Sequence, residues 1–304
     1  MLDAFLAATV AMATPILLAA LGELIVERSG VINIGIEGSM LVGAFVGLAT
    51  AYFSGNLLVG ILAAMIAAVM LNALLASLVV NFAANQVVAG TALNILALGF
   101  TGVAYRRLFG VTGRAIIILT LRPPFGAVSR ARLPIVGPLL LEQNSIVYLT
   151  CGLVPIVGVI LTRTRWGLHL RAAGEHPEAA DALGLRVSRL RWQALILAGA
   201  LTGLAGAYLT LGYTGTFVEG ISGGRGFVAL AVVIVGRWKA WGVAAASILF
   251  GAATALQYSL QATGATFPYQ LFLALPYLLT LAVLGIVGGQ AEAPGALGES
   301  YVRE

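Results

Sequence analysis

Apolar runs dominate this chain, and their lengths set the elements they predict. Eight runs, 4–26, 36–54, 57–80, 87–105, 144–162, 192–213, 240–260 and 269–289, each come close to the roughly 20 residues that cross a bilayer as a helix. A ninth run, 225–236 (RGFVALAVVIVG), is too short to cross alone as a straight helix and predicts a half-span. Residues 27–35, ERSGVINIG, place charge, asparagine and glycine between two apolar runs and predict a break. Irregular backbone at membrane depth survives only where it is buried or lines a wet cavity. Two breaks therefore suggest a pathway, and an ordinary tight loop is the alternative for each. The pattern predicts an all-α polytopic membrane protein with about 8–10 transmembrane helices, one or two of them broken or re-entrant. One transmembrane domain would cover 1–290, with a short polar tail at 291–304.

Composition sharpens the class. Hydrophobic residues make up 60% of the chain and charged residues only 10%, against about 25% charged in soluble domains. The 38 glycines fit helices that approach one another closely. The net charge of +5 does not point to nucleic acid, because the arginines fall in loops between spans, where they set topology and meet lipid headgroups. Lys239 is the only lysine, which excludes a phosphate-binding GKS or GKT motif. Cys151 is the only cysteine; it reads as inert packing, and no disulfide forms within the chain. The N-terminal run lacks a positive n-region and is too long for a signal-peptide core, so it is expected to stay as the first span.

The polar exception is 163–191, RTRWGLHLRAAGEHPEAADALGLRVSRLR. It holds six arginines, three acids and both histidines. Loop 106–143 also carries six arginines, and the single span between the two puts them on opposite faces. The positive-inside rule cannot choose by count. Arg28, Arg237 and Lys239 fall on the island's side if 225–236 crosses, which makes the island cytoplasmic and the N-terminus external. The four prolines of 106–143 read as a structured external cap. Trp166, Trp192, Trp238 and Trp241 fall near the island-side ends of spans and read as interface anchors.

Within the island, Glu178-Ala179-Ala180 is followed after three residues by Gly184. Pro177 would start a short helix over about 176–183, with Glu178 and Asp181 near its positive end and Gly184 past its C-terminus. A helix lying flat on the membrane can seat in a groove of a soluble subunit; a solvated connecting helix is the bland alternative.

The EAA-x3-G pattern resembles the ATPase-docking loop of ABC-importer permeases. So do LGELIVERSGVINIGIEGSMLVGAF, ANQVVAGTALNILALG, LHLRAAGEHPEAADALGLRV, GGRGFVALAVVIVGRW and PYQLFLALPYLLTLAVLG. Together they are similar to permeases for branched-chain amino acids, sugars and nucleosides, above all the shorter permease of bacterial nucleoside systems. The resemblance implies a multi-pass protein of the bacterial inner membrane that needs no cofactor and has no catalytic site of its own. It implies three partners: a second, longer homologous permease, a cytoplasmic ATPase and an extracytoplasmic substrate-binding lipoprotein. The solute would be small and neutral. It also implies docking through Gly174, Glu175, His176, Pro177, Glu178, Ala179, Ala180, Asp181 and Gly184. Glu23 stands where relatives often carry a small residue, and its role is open.

Polar residues inside the apolar runs are the candidates for the pathway. Asn33 and Glu37 are four apart and share a face if helical. Gln86, Gly90 and Asn94 fall at i, i+4 and i+8, a polar stripe with a gap at its centre. Side-chain amides donate and accept, which suits a nucleobase edge or ribose hydroxyls; interhelical hydrogen bonding is the alternative. Phe100 and Tyr105 could add an aromatic face. Glu37 reads as a gate or interhelical group, and Asn72 and Gln257 as structural. Arg225 could pair with Glu219 at the external mouth, or simply be solvated.

Two other classes compete. An ion-coupled secondary transporter needs titratable groups at mid-membrane; only Glu23, Glu27 and Glu37 lie near that depth, and the island would go unexplained. An intramembrane enzyme is disfavoured by the absence of HExxH and GxSxG and by two histidines that both lie in the island.

Overall fold

Helix α1 runs over Leu2–Glu27 in the computed structural model, and the later spans near the C-terminus pack along it. The structure describes residues 2–110, 117–118, 120–121, 143–262 and 292–301, together with Leu278, Ala282 and Gly285. Among the described residues nine further helices follow: α2 Ile36–Ser54, α3 Leu57–Ala76, α4 Gln86–Phe109, α5 Ser145–Arg163, α6 Arg165–Glu175, α7 Pro177–Ala182, α8 Val187–Ala207, α9 Arg225–Val235 and α10 Ala240–Ala262. The described residues contain no strand. Among the described residues seven helices are long and apolar enough to cross a membrane, and α9 is a shorter apolar one. The predicted eighth span, 269–289, lies outside the described residues except for Leu278, Ala282 and Gly285, as does most of the proline-bearing loop, although 106–109 of that loop are the last turn of α4.

Local chemistry starts the helices where the polar punctuation stands. Asn56, Asn85 and Asn144 cap α3, α4 and α5, each side chain accepting from two backbone N–H groups that the first turn would otherwise orphan. Two spans end in π-helical turns that their sequences did not announce, Ser77–Asn81 after α3 and Tyr208–Thr214 after α8.

The interior is made by α1, α2 and α8, with α3, α4 and α5 at the rim. Glycine sets how closely the interior helices lie. A Cβ on Gly206 of α8 would stand 2.1 Å from the Met40 carbonyl oxygen of α2. One on Gly43 would stand 2.9 Å from the Gly203 backbone. Backbone-to-backbone contact of this kind replaces the hydrophobic drive that lipid cannot supply. On the rim, Leu58, Leu62, Ile66 and Met70 of α3 and Val88, Ile95 and Leu98 of α4 are exposed, as lipid-facing side chains are.

Candidate functional site

The break over 28–35 is where the polar groups converge. Arg28, Ser29 and Gly30 continue α1 as a tight turn, with Gly30 at φ +87°. The chain then climbs back beside α1. Glu23 Oε1 accepts from the Asn33 backbone N–H at 2.9 Å, and Glu23 lies about 6 Å above Glu27 along the helix. Gln86 Oε1 accepts from the Ile32 N–H at 2.7 Å. Asn94 Nδ2 donates to the Ile34 carbonyl at 2.8 Å, and Asn94 Oδ1 accepts from the Gly38 N–H at 2.8 Å. The backbone groups that a helix would have satisfied internally are thus met by side chains of α1 and α4, as burial in a membrane requires.

A side-chain chain completes the junction. Asn33 Nδ2 donates to Asn72 Oδ1, and Asn72 Nδ2 to Ser39 Oγ, each at 2.8 Å. Asparagines of the break and of α3, with a serine of α2, thereby hold the start of α2. Asn33 is not helical, so it shares no helical face with Glu37; the helix begins only at Ile36. The stripe Gln86–Gly90–Asn94 does lie along one face of α4, but its central gap is filled. A Cβ on Gly90 would stand 2.7 Å from the Gly35 nitrogen. In this conformation Asn33 and Gln86 are buried, and Asn94 and Glu37 are half-buried.

Glu37 holds the half-span. Its two carboxylate oxygens accept from the Gly224 and Gly226 N–H groups, both at 2.7 Å, at the N-terminus of α9. A negative group there meets orphan donors and the positive end of the helix. Gly224 takes φ +81°, and a Cβ on Gly226 would stand 2.6 Å from the Glu37 Cα, so this contact requires glycine. Arg225 hydrogen-bonds the Ile221 and Ser222 carbonyls, while Glu219 pairs with Arg106 at 3.2 Å; of the two readings of Arg225, the pair with Glu219 does not form. Along the same walls, Phe45, Phe100, Phe217 and Tyr105 form an aromatic cluster with centroid separations of 5.3–6.4 Å.

The other end of α9 returns to the island's face. The Trp238 indole donates to Glu27 Oε2, and Arg28 donates to the Trp238 carbonyl at 2.8 and 3.1 Å. Arg28, Arg237 and Lys239 thus line one pocket together with the island's Glu175. Trp238 is buried, so of the four tryptophans it is a structural donor and not an interface anchor, whereas Trp241 is exposed. Cys151 is exposed on α5 and does not pack in the interior.

The island folds as two helices. The second, α7, starts at Pro177 and ends in Gly184 at φ +83°, whose N–H donates to Asp181 while that of Leu185 reaches back to Ala180. Ala180 anchors it; Glu178, Ala179 and Gly184 are exposed. The first, α6, was not anticipated. It buries Gly167, Leu170, Ala173 and Gly174 on one face. Gly174 lies directly on the break: a Cβ there would stand 2.4 Å from the Arg28 carbonyl oxygen. Glu175 reaches Arg28 at 3.9 Å. Burial pulls the Arg28 guanidinium below its ordinary value, against the opposing pull of Glu175 and with a further push from Arg171.

Two more participants have no signal in residue spacing. Arg191, almost fully buried, donates to the Ser29 carbonyl at 3.3 Å and to the Glu299 carbonyl at 2.9 Å. Residues 292–301 form a strap rather than a loose tail. Ala296 N–H donates to the Gly174 carbonyl at 2.9 Å, Gly298 N–H to Gly30 at 3.0 Å, and Gly295 N–H to Glu175 Oε2 at 3.0 Å. A groove of about 320 Å³ separates the strap from the start of α7, lined by Glu175, Glu178, Ala179 and Glu299 among others. Among the described residues no cluster of side chains could hold a metal ion.

Apolar spans on three sides of a broken-helix junction, with a polar platform wired to that junction, define a polytopic helical membrane protein of the transport class. The chain belongs to the branched-chain amino acid transport system / permease component family, whose profile matches residues 5–284. It is 36% identical to the putative glucose ABC transporter permease protein TsgC13 of Haloferax volcanii, over 98% of this chain and 97% of that one. It is 34% identical to the guanosine ABC transporter permease protein NupQ of Bacillus subtilis, over 97% and 95%. It is 32% identical to the nucleoside ABC transporter permease protein NupC of Lactococcus lactis, over 95% and 94%. The first two organisms each have a second matching permease named for the same substrate. No solved structure matches. The chain is thus a multi-pass permease subunit of an ABC-type system in the plasma membrane.

Proposed function

We propose that this chain is one of two homologous permeases of an ATP-driven nucleoside importer. It forms the passage with its partner permease, receives solute from an external binding protein, and takes its drive from a cytoplasmic ATPase docked on 174–184. It performs no chemistry itself. The observation that carries this reading is the contact of Gly174 with Arg28: an exposed helix pair rests backbone-to-backbone on the break where the pathway helices begin. A push on α7 passes through α6 to that break with no flexible linker between them.

Glu37, Asn94 and the aromatic cluster line the solute's route in this reading. Aromatic faces and neutral amides suit a nucleobase, and the half-buried Glu37 gates the route by holding or releasing α9. Asn33 and Gln86 act from behind, keeping the broken backbone in place. The B. subtilis and L. lactis relatives favour a nucleoside; the H. volcanii relative supports a second reading, a simple sugar.

Uptake of labelled guanosine, uridine, ribose and leucine, in cells with the full set of subunits with and without this chain, decides between them. Loss of nucleoside uptake alone is expected. Loss of ribose uptake alone would move the chain to the sugar branch. The docking arm is tested by Glu178→Arg, which is expected to abolish uptake while the protein still inserts; normal uptake in that variant would remove the docking assignment.

A further inference from the structure

A second cavity, of about 530 Å³, opens between the island-side ends of α5 and α10. It shares no lining residue with the groove beside α7, and it touches the junction only at Arg28 and Trp238. Its apolar wall comes from Pro155, Val159 and Leu161 of α5 and from Trp241 of α10. Its rim is cationic: Arg28, Arg163, Arg171 and Lys239 all line it, and no acidic side chain among the described residues does. Arg28 is partly satisfied by the Trp238 carbonyl and by Glu175 outside the cavity. Arg171 is not: its Nε is buried and has no hydrogen-bond partner. Arg171 also stands close enough to Arg28 to disfavour the Arg28 charge. A buried donor without an acceptor, in a cluster of like charges, lacks an anion.

The chemistry of the walls says which anion fits. Free phosphate would use the rim and leave the apolar wall wet. A phospholipid uses both, with its phosphate among the guanidinium groups and its first acyl carbons against Pro155, Val159 and Leu161. The site also lies at the membrane surface: Arg163 closes a span, and Trp241, 68% exposed, stands at the start of another, where tryptophan sits at headgroup level. Basic pockets between membrane helices hold anionic headgroups. We infer that this cleft binds one anionic phospholipid, of the phosphatidylglycerol class, from the leaflet on the island's side. Seated there, the lipid bridges α5, α6 and the turn after α9, the elements that meet at Arg28.

The test uses the full chain, purified with its partner subunits in lipid nanodiscs, and a photoactivatable phosphatidylglycerol. Crosslinked peptides are mapped by mass spectrometry. Label is expected at 155–163 and 238–241, with a matched phosphatidylcholine probe labelling weakly. Preference for the anionic probe should fall about fivefold for each cation removed, in Arg171→Gln and again in the exposed-position double variant Arg163→Gln/Lys239→Gln. The double variant, checked by size exclusion, keeps the result readable if Arg171→Gln misfolds. Equal labelling by the two headgroups would overturn the inference. So would unchanged preference in the double variant, or loss of label to millimolar inorganic phosphate, which would mark a free-anion site. Labelling that appears only when the ATPase subunit is stripped away would assign the cleft to protein instead. The labelling needs no transport, so it stands apart from the nucleoside assignment.

Discussion

At the scale of single residues, the junction depends on polar side chains that serve backbone. Glu37 is the clearest case, with two short bonds to the first N–H groups of α9. Hydrogen bonds to a charged group are worth about 1.5–3 kcal/mol. Glu37→Ala should therefore destabilise the protein by roughly 2 kcal/mol or more, and Glu37→Gln by less, since one oxygen acceptor remains. Thermal unfolding in detergent reads this directly. Equal melting temperatures for the three proteins would show that the carboxylate does not hold the half-span. The candidate residues were legible as polar positions in apolar runs, but not their partners. Asn94 stood in a pattern that fitted either an open stripe or interhelical bonding. Only the positions of Ile34 and Gly38 show that both ends of its amide are engaged with backbone.

At the scale of elements, α6 and α7 each depend on a glycine, for opposite reasons. Gly184 is needed for its left-handed backbone and has open space where a Cβ would go. Gly174 is needed because the Arg28 carbonyl occupies that space. Gly184→Ala should cost about 1 kcal/mol, the usual penalty of a positive φ, and leave the helix pair seated. Gly174→Ala must lift α6 from the break and should cost several times more, with uptake lost. Melting temperature and uptake measured on both variants give the comparison. Similar behaviour would mean that α6 does not rest on the break in the working protein. The EAA-x3-G motif made α7 legible because capping and termination are local. The platform beneath it was not: α6 buries Gly167, Leu170, Ala173 and Gly174 on one face, but what that face rests on, the Arg28 carbonyl, belongs to a segment far away in the chain.

At the scale of the whole molecule, glycine placement sets how tightly the spans pack. Gly206 faces the Met40 carbonyl, so Gly206→Val should prevent α2 and α8 from closing and leave little folded protein in the membrane. Gly99 and Gly152 have nothing near their Cβ positions, and alanine at either should be neutral or slightly stabilising, because glycine is the weaker helix former. Levels of monodisperse protein after solubilisation check both. Recovery of Gly206→Val at the wild-type level would mean that the α2–α8 seam tolerates separation.

What the sequence by itself determined is what a single segment dictates. Apolar run length fixes which segments span; asparagine, proline and glycine fix where helices begin and end; the break at 27–35 and the short run at 225–236 follow from length and local polarity alone. Tertiary structure decided what depends on a second segment. It paired Gln86 with Ile32, Asn33 with Asn72, Glu37 with the start of α9, and Glu219 with Arg106 in place of Arg225. It turned the polar tail into a strap across Gly30 and Gly174, and took Arg191 from a loop charge to the buried tie between break and strap. The physical reason is the same in each case. In a membrane a polar group must find a partner, but its residue type says only that it needs one, and which partner it finds is set by the packing of helices far apart in the chain.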